Sequence, residues 1–160
     1  MTLAAKQSWS GEISQAESAV EIASAFPLMR ALRPHLIDSD SFVAQIERQM
    51  KGGYALLLAR DAGAPISLAG YRLLENTIYG RFIYVDDLVV DEAVRRDGVG
   101  RALLDAVSVV GRARRCEKLV LDTGLGNSLE QRFYFRAGML ATGMHFAQPL
   151  NLENAGDTDA

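Results

Sequence analysis

The chain has 160 residues, 49% hydrophobic and 23% charged, with a formal net charge of −3 from 17 basic and 20 acidic side chains. That size and balance suit one globular domain with a buried core, and the slight acidity argues against nucleic acid as the partner. One cysteine, Cys116, and two distant histidines, His35 and His145, exclude an intrachain disulfide and predict no metal site, while no apolar run reaches the roughly 18–20 residues that span a bilayer.

The first residues and the stretch from about Asn151 are polar, so the ordered core is expected over about residues 11–150 of a single domain spanning 1–160. Gly11–Ser14 suits a short first strand. From Ser18 to Leu32 an apolar helical stripe runs through Val20, Ile22, Ala23, Phe26 and Met29 or Leu28, and Pro27 breaks it or divides it in two. Ser39–Met50 repeats the helical spacing with Phe42, Val43 and Ile46, capped by Asp38 or Ser39 and ended by Gly52-Gly53.

Strands follow. Tyr54–Arg60, Ile66–Glu75 and Arg81–Val90 are separated by turn chemistry at Asp61–Pro65 and Asn76–Gly80, which predicts an antiparallel meander. An amphipathic helix from Arg101 to about Arg114 leads to the apolar run Lys118–Asp122, as expected of a crossover to a buried strand. Cys116, at the end of that helix, reads as a small core residue, and Arg112, Arg114 and Arg115 as a solvated face. Asn127–Ala137 is a further helix stopped by Gly138, and Met139–Ala141 and Met144–Ala147 are expected to close the sheet. The class is α/β (α+β): a mixed, mostly antiparallel sheet of six to seven strands with helices on both faces.

The segment Arg95-Arg96-Asp97-Gly98-Val99-Gly100 stands between a strand and a helix. Its glycines let backbone approach a ligand closely. The first N–H groups of the helix have no intrahelical partner, so with the helix dipole they favour an anion such as a phosphate. A P-loop would need Lys-Ser/Thr where Arg101-Ala102 stands, and a dinucleotide fingerprint would need a third glycine where Leu103 stands. The remaining pattern, Arg/Gln-x-x-Gly-x-Gly, resembles the acyl-coenzyme A loop of the GNAT N-acetyltransferase superfamily. Asn127-Ser-Leu-Glu-Gln-Arg-Phe133-Tyr134 with Gly138-Met139 resembles that superfamily's Asn-x-x-Ala-x-x-Phe-Tyr-x-x-x-Gly-Phe motif, with Glu130 and Met139 as departures.

The resemblance runs from about Gly11 to Leu150 and implies the GNAT fold, acetyl-coenzyme A as cosubstrate and no metal. It implies that the amides of Arg96, Asp97, Gly98, Val99, Gly100 and Arg101 wrap the pyrophosphate. Arg95 would pair with a phosphate or brace the loop, and Asp97 would face solvent or cap the helix. It also implies that the backbone of Leu88, Val89 and Val90 binds the pantetheine arm, that Asn127 reaches a pantetheine amide, and that Phe133 packs beside it. Tyr134 becomes the general acid at the leaving sulfur. The adjacent Asp86 and Asp87 should face opposite sides of their strand, and by alignment with polyamine-type members Asp86 is the candidate base.

The implied reaction is transfer of acetyl to a primary amine of a small molecule or peptide by direct attack in a ternary complex. The implied setting is cytoplasmic, with no nucleic acid or membrane partner, and a homodimer paired through the final strands. Candidate acceptor-side residues are Met29, Arg33, His35, Phe42, Tyr79, Tyr84 and His145, the last also readable as a hydrogen-bonded core histidine. Arg33 and His35 favour an anionic acceptor, and Asp86 and Asp87 a cationic one. The alternatives are a non-catalytic acyl-coenzyme A sensor and a nucleotide-binding enzyme that uses the same loop.

Overall fold

The computed structural model describes residues 9, 11–95 and 97–150. It falls into two compact units with a boundary between Leu121 and Asp122. The first contains β1 (Glu12–Gln15), α1 (Ala19–Ser24), α2 (Phe26–Leu32), α3 (Ser39–Lys51), β2 (Tyr54–Asp61), β3 (Ala64–Asn76), β4 (Gly80–Val90), a 3-10 turn at Glu92–Val94, α4 (Val99–Ala113) and β5 (Lys118–Leu121). The second contains α5 (Ser128–Arg136).

The five strands of the first unit lie in sequence order, β1-β2-β3-β4-β5. The first three pairings are antiparallel, and β4 pairs with β5 in parallel. Parallel neighbours need a crossover, which α4 provides. The apolar run of β2 is continuous because both faces are covered: Leu56 and Leu58 join the core under α1–α3, while Leu57 and Ala59 join the core under α4. On α4, Val99, Leu103 and Val107 are at most 1% exposed. Burying each such side chain contributes about 1.5–3 kcal/mol.

Local signals position the helices. Ser18 caps α1 in a reciprocal box with Glu21, whose carboxylate accepts from the amides of Glu17 and Ser18 at 3.0 Å. These bonds hold the Glu21 carboxyl below its usual range. Pro27 falls in the first turn of α2, so the expected break lies at Ala25. The Asp38 side chain accepts from the Ser41 amide at 2.8 Å and starts α3. Cys116 packs against the α4-side core, as expected of a small core residue, and Arg112, Arg114 and Arg115 are exposed.

Two expectations need correction. Among the described residues the sheet has five strands rather than six or seven, and neither Met139–Ala141 nor Met144–Ala147 is a strand. Leu140, Met144 and Phe146 expose 79%, 69% and 83% of their surface. A strand requires a neighbouring ladder, which an apolar run alone does not supply. The helix after the glycine loop begins at Val99, because a left-handed glycine turns the chain directly into it. Among the described residues, no helix is long and apolar enough to cross a membrane.

Candidate active site

Gly98 is the N-cap of α4 with φ +87°, a conformation that glycine adopts without steric cost. A Cβ there would meet the backbone nitrogen of Trp9 at 3.7 Å, an ordinary van der Waals contact, so it is the backbone conformation that favours glycine. The first intrahelical bond runs from the Ala102 amide to the Gly98 carbonyl at 3.0 Å. The amides of Val99, Gly100 and Arg101 therefore have no acceptor within the helix. Asp97 is exposed and no side chain caps α4, so of its two expected placements the solvent one holds. Arg95 pairs with Glu92 at 3.2 Å, and Arg101 with Asp105 at 2.9 Å, both at the surface. Arg96 lies outside the described residues. A left-handed glycine followed by three first-turn amides without an acceptor in the helix suits a pyrophosphate.

The edge of β4 leads away from this turn. β5 pairs with Phe82 through Val85 and stops, whereas β3 continues to pair with Leu88, Val89 and Val90. Beyond Val85, β4 thus has a strand neighbour on one side only among the described residues. The buried Ser67 hydroxyl donates to the Val89 carbonyl at 2.7 Å and ties this stretch to β3. A free edge of this kind can pair with an extended amide-bearing arm. Leu88, Val89 and Val90 are half-buried along it.

At the parting point the register slips. Gly70 opposes Asp87 and Tyr71 opposes Val85, which leaves Asp86 as an extra residue on β4. This bulge overturns the expectation that Asp86 and Asp87 face opposite sides, because an inserted residue resets the alternation. Both carboxylates line one cleft of about 190 Å³. Its apolar wall includes Met29 of α2 and Phe42 and Ile46 of α3. Gln45 and Gln49 share the α3 face with Phe42 and Ile46, at helical spacing, and His35 lies in the loop before it.

Two charge pairs organise this cleft. Arg33 donates to Asp87 Oδ1 through Nε at 3.2 Å and Nη2 at 3.0 Å, and Nη2 also reaches the Asp86 carbonyl. Tyr54 donates its hydroxyl to Asp87 Oδ2 at 3.0 Å. Both Asp87 oxygens are therefore engaged. Asp86 is different: Arg72 Nε donates to its Oδ2 at 3.0 Å, and no described residue donates to Oδ1. Burial pushes the Asp86 carboxyl above its usual range, the Arg72 guanidinium opposes this, and neighbouring Asp87 adds to the rise. A half-buried carboxylate with one open oxygen and a raised pKa is suited to accept a proton.

Gly70 makes room for this arrangement. A Cβ on it would lie 1.9 Å from the Tyr54 hydroxyl. The Tyr54 ring also carries the Arg72 guanidinium, 5.9 Å from its centroid. Burial, and after it the Asp87 charge, raise the Tyr54 phenol far above its normal range, so it remains a donor.

In the second unit, the Asn127 side chain caps α5 by accepting from the Glu130 amide at 3.2 Å. Glu130 accepts from the Thr123 hydroxyl at 2.6 Å, which gives this departure from the motif a local role. Phe133 and Tyr134 pack edge to face at 5.3 Å. Burial, and secondly the Glu130 charge, push the Tyr134 phenol up to about 12. Gly138 has φ +86°; its amide reaches Phe135 and that of Met139 reaches Tyr134, each at 3.0 Å, which closes the helix in a Schellman motif.

Of the acceptor-side candidates, Met29, Arg33, His35 and Phe42 meet Asp86 and Asp87 in the cleft. Tyr79 instead packs on Phe82 at 5.5 Å in the β3–β4 turn, and Tyr84 sits on β4 opposite Arg72. His145 is exposed, with Nδ1 3.1 Å from Asp122, and is not a core histidine, because its run lacks a covering element. Tyr54, Gly70, Arg72, Gln45 and Gln49 were not anticipated. The available signal was Gly70, a lone glycine inside a strand pattern, which marks a bulge or a close approach.

The family model of the Acetyltransferase (GNAT) family matches residues 20–139. A search of curated proteins finds no match. Among solved structures, AAC(6')-Iy in complex with the bisubstrate analogue CoA-S-monomethyl-acetylneamine aligns with TM-score 0.79 at 20% identity, covering 89% of this chain and 99% of that one. An acetyltransferase of Trypanosoma brucei aligns with TM-score 0.72 at 19% identity, over 87% and 99%. Glucosamine-6-phosphate N-acetyltransferase from Arabidopsis thaliana gives 0.71 at 16% identity, over 89% and 100%. These structures share the fold.

Proposed function

The chain belongs to the GNAT acetyltransferase family, and from that premise we propose that it acetylates a primary amine of a small molecule or peptide by direct attack in a ternary complex. The observation that carries the reading is the bulge at Asp86. It sets a half-buried carboxylate with an open oxygen in a cleft, where β4 loses its second neighbour. Family membership and the cradle at α4 support acetyl-coenzyme A as the cosubstrate. When bound, it supplies the acetyl group as an activated thioester.

The chain's own groups do the rest. The amides of Val99, Gly100 and Arg101, with Gly98, hold the pyrophosphate, and the loop residues Arg95, Arg96 and Asp97 flank it. The free edge at Leu88–Val90 pairs with the pantetheine arm. Asp86 takes a proton from the incoming ammonium, directly or through water, and passes it to solvent. Asp87 serves less well, since Arg33 and Tyr54 already engage both its oxygens. As the C–N bond forms and the C–S bond breaks, Tyr134 gives its proton to the leaving sulfur. The second proton lost by nitrogen restores the phenol through solvent. On the resemblance, Asn127 and Phe133 hold the arm beside Tyr134.

The family match runs across the boundary at Leu121, which supports reading the chain as a single domain. The same reading takes the protein as cytoplasmic and homodimeric, with exposed Leu140, Met144 and Phe146 as apolar surface for a second copy. Release of free thiol from acetyl-coenzyme A across an amine panel tests the activity. Amine-dependent release is expected. Tight cofactor binding with no release from any amine would instead favour a sensor.

A further inference from the structure

The two charge pairs in the cleft balance each other, but neither exhausts its cation. Arg72 gives only Nε to Asp86, and its Nη1 and Nη2 bond to no described residue. Arg33 uses Nε and Nη2 and keeps Nη1. Arg33 and Arg72 both line the cleft, together with Gln45 and Gln49. A guanidinium is always charged and its planar fork matches a carboxylate or phosphate. The two arginines and the two aspartates cancel, so a polycation gains no net attraction here, and an amine without an anionic group would leave the remaining guanidinium donors without a partner. The volume of about 190 Å³ also falls below the roughly 300–1,000 Å³ of pockets that take drug-sized ligands.

We propose that the acceptor is a small amine that itself carries an anionic group, a carboxylate or a phosphate. The ammonium end faces the open oxygen of Asp86. The anionic end takes the free fork of Arg72, with Nη1 of Arg33, Gln45 and Gln49 beside it. This assignment rests on the acetyl-transfer reading and narrows its substrate class.

The test uses matched pairs that differ only in the anion. Amino acids are compared with their C-terminal amides, aminoalkyl phosphates with the corresponding amino alcohols, and simple diamines complete the panel. Thiol release from acetyl-coenzyme A reads turnover, and thermal protection of the protein reads binding independently. The anionic member of at least one pair should exceed its neutral partner in kcat/KM by about tenfold or more, the scale of a charge-assisted bond. Which pair responds separates carboxylate from phosphate.

In Arg72→Gln the preference should collapse toward unity. The ratio is the readout because a change at Asp86 affects both members alike. Arg33→Gln, at a side chain 45% exposed, should narrow the same ratio and serves if Arg72→Gln does not fold. Preference for neutral amines or diamines would overturn the anionic assignment while leaving acetyl transfer standing. Protection by anionic amines without thiol release would overturn acetyl transfer and leave the charge selection. Neither protection nor release would overturn both.

Discussion

Gly70→Ala is the sharpest structural perturbation the cleft offers. Its Cβ would lie 1.9 Å from the Tyr54 hydroxyl, 2.5 Å from Cζ and 2.7 Å from Cε2. Tyr54 is 3% exposed and cannot swing aside into solvent. The ring must shift, and its hydroxyl must leave Asp87. Losing a hydrogen bond to a charged group costs about 1.5–3 kcal/mol, and overpacking a core adds about 1–3 kcal/mol. A total of about 3–5 kcal/mol, at about 2–4 °C per kcal/mol for a chain of this size, predicts a fall in Tm of roughly 10 °C. Tyr54→Phe removes only the hydroxyl and should cost about 1.5–3 kcal/mol. The double variant should cost less than the sum of the two, because the lost bond is counted once. Scanning calorimetry and urea unfolding on the four proteins check this. A Gly70→Ala protein melting within about 2 °C of the parent, or strict additivity, would refute the close packing of Gly70, Tyr54 and Asp87.

Three further outcomes follow from the site. Gly98→Val places a β-branched residue at φ +87° beside the free amides, and should abolish coenzyme A binding; calorimetric titration with normal affinity in a folded variant would remove the cradle. Tyr134→Phe should lower turnover by about 10²–10⁴-fold with cofactor affinity nearly intact, and unchanged single-turnover rates would remove its role as acid. Asp86 must be ionised to act, so kcat should fall as pH drops through its pKa. Because burial raises that pKa, the fall should begin above the ordinary carboxylate range. Asp86→Asn should erase this limb and reduce turnover, and a pH profile identical to the parent's would exclude Asp86 as base.

Much of the fold is legible in local chemistry. Pro27, Asp38 and Gly52-Gly53 punctuate the helices where the structure has them, and the turns at Asp61–Pro65 and Asn76–Gly80 separate real strands. What is not legible depends on register or on distant partners. Strand alternation assigns Asp86 and Asp87 to opposite faces, and only pairing with Gly70 and Tyr71 reveals the bulge that unites them. The Arg72–Asp86 and Tyr54–Asp87 bonds join different strands, so no spacing in the sequence announces them. Apolar spacing at Met139–Ala141 and Met144–Ala147 predicts strands, yet pairing requires an edge that local patterning cannot guarantee. The turn at Gly98 is a local feature, a positive φ followed by a helix N-terminus.

Mass spectrometry of the amine and of the intact protein during one reaction with acetyl-coenzyme A tests direct acetyl transfer. The acetyl group should appear on the amine at the rate that free thiol is released, with no acetylated protein accumulating first, and both signals should drop together in Asp86→Asn. Coenzyme A binding without any acetylated amine, or acetyl reaching the protein before the amine, would contradict the account.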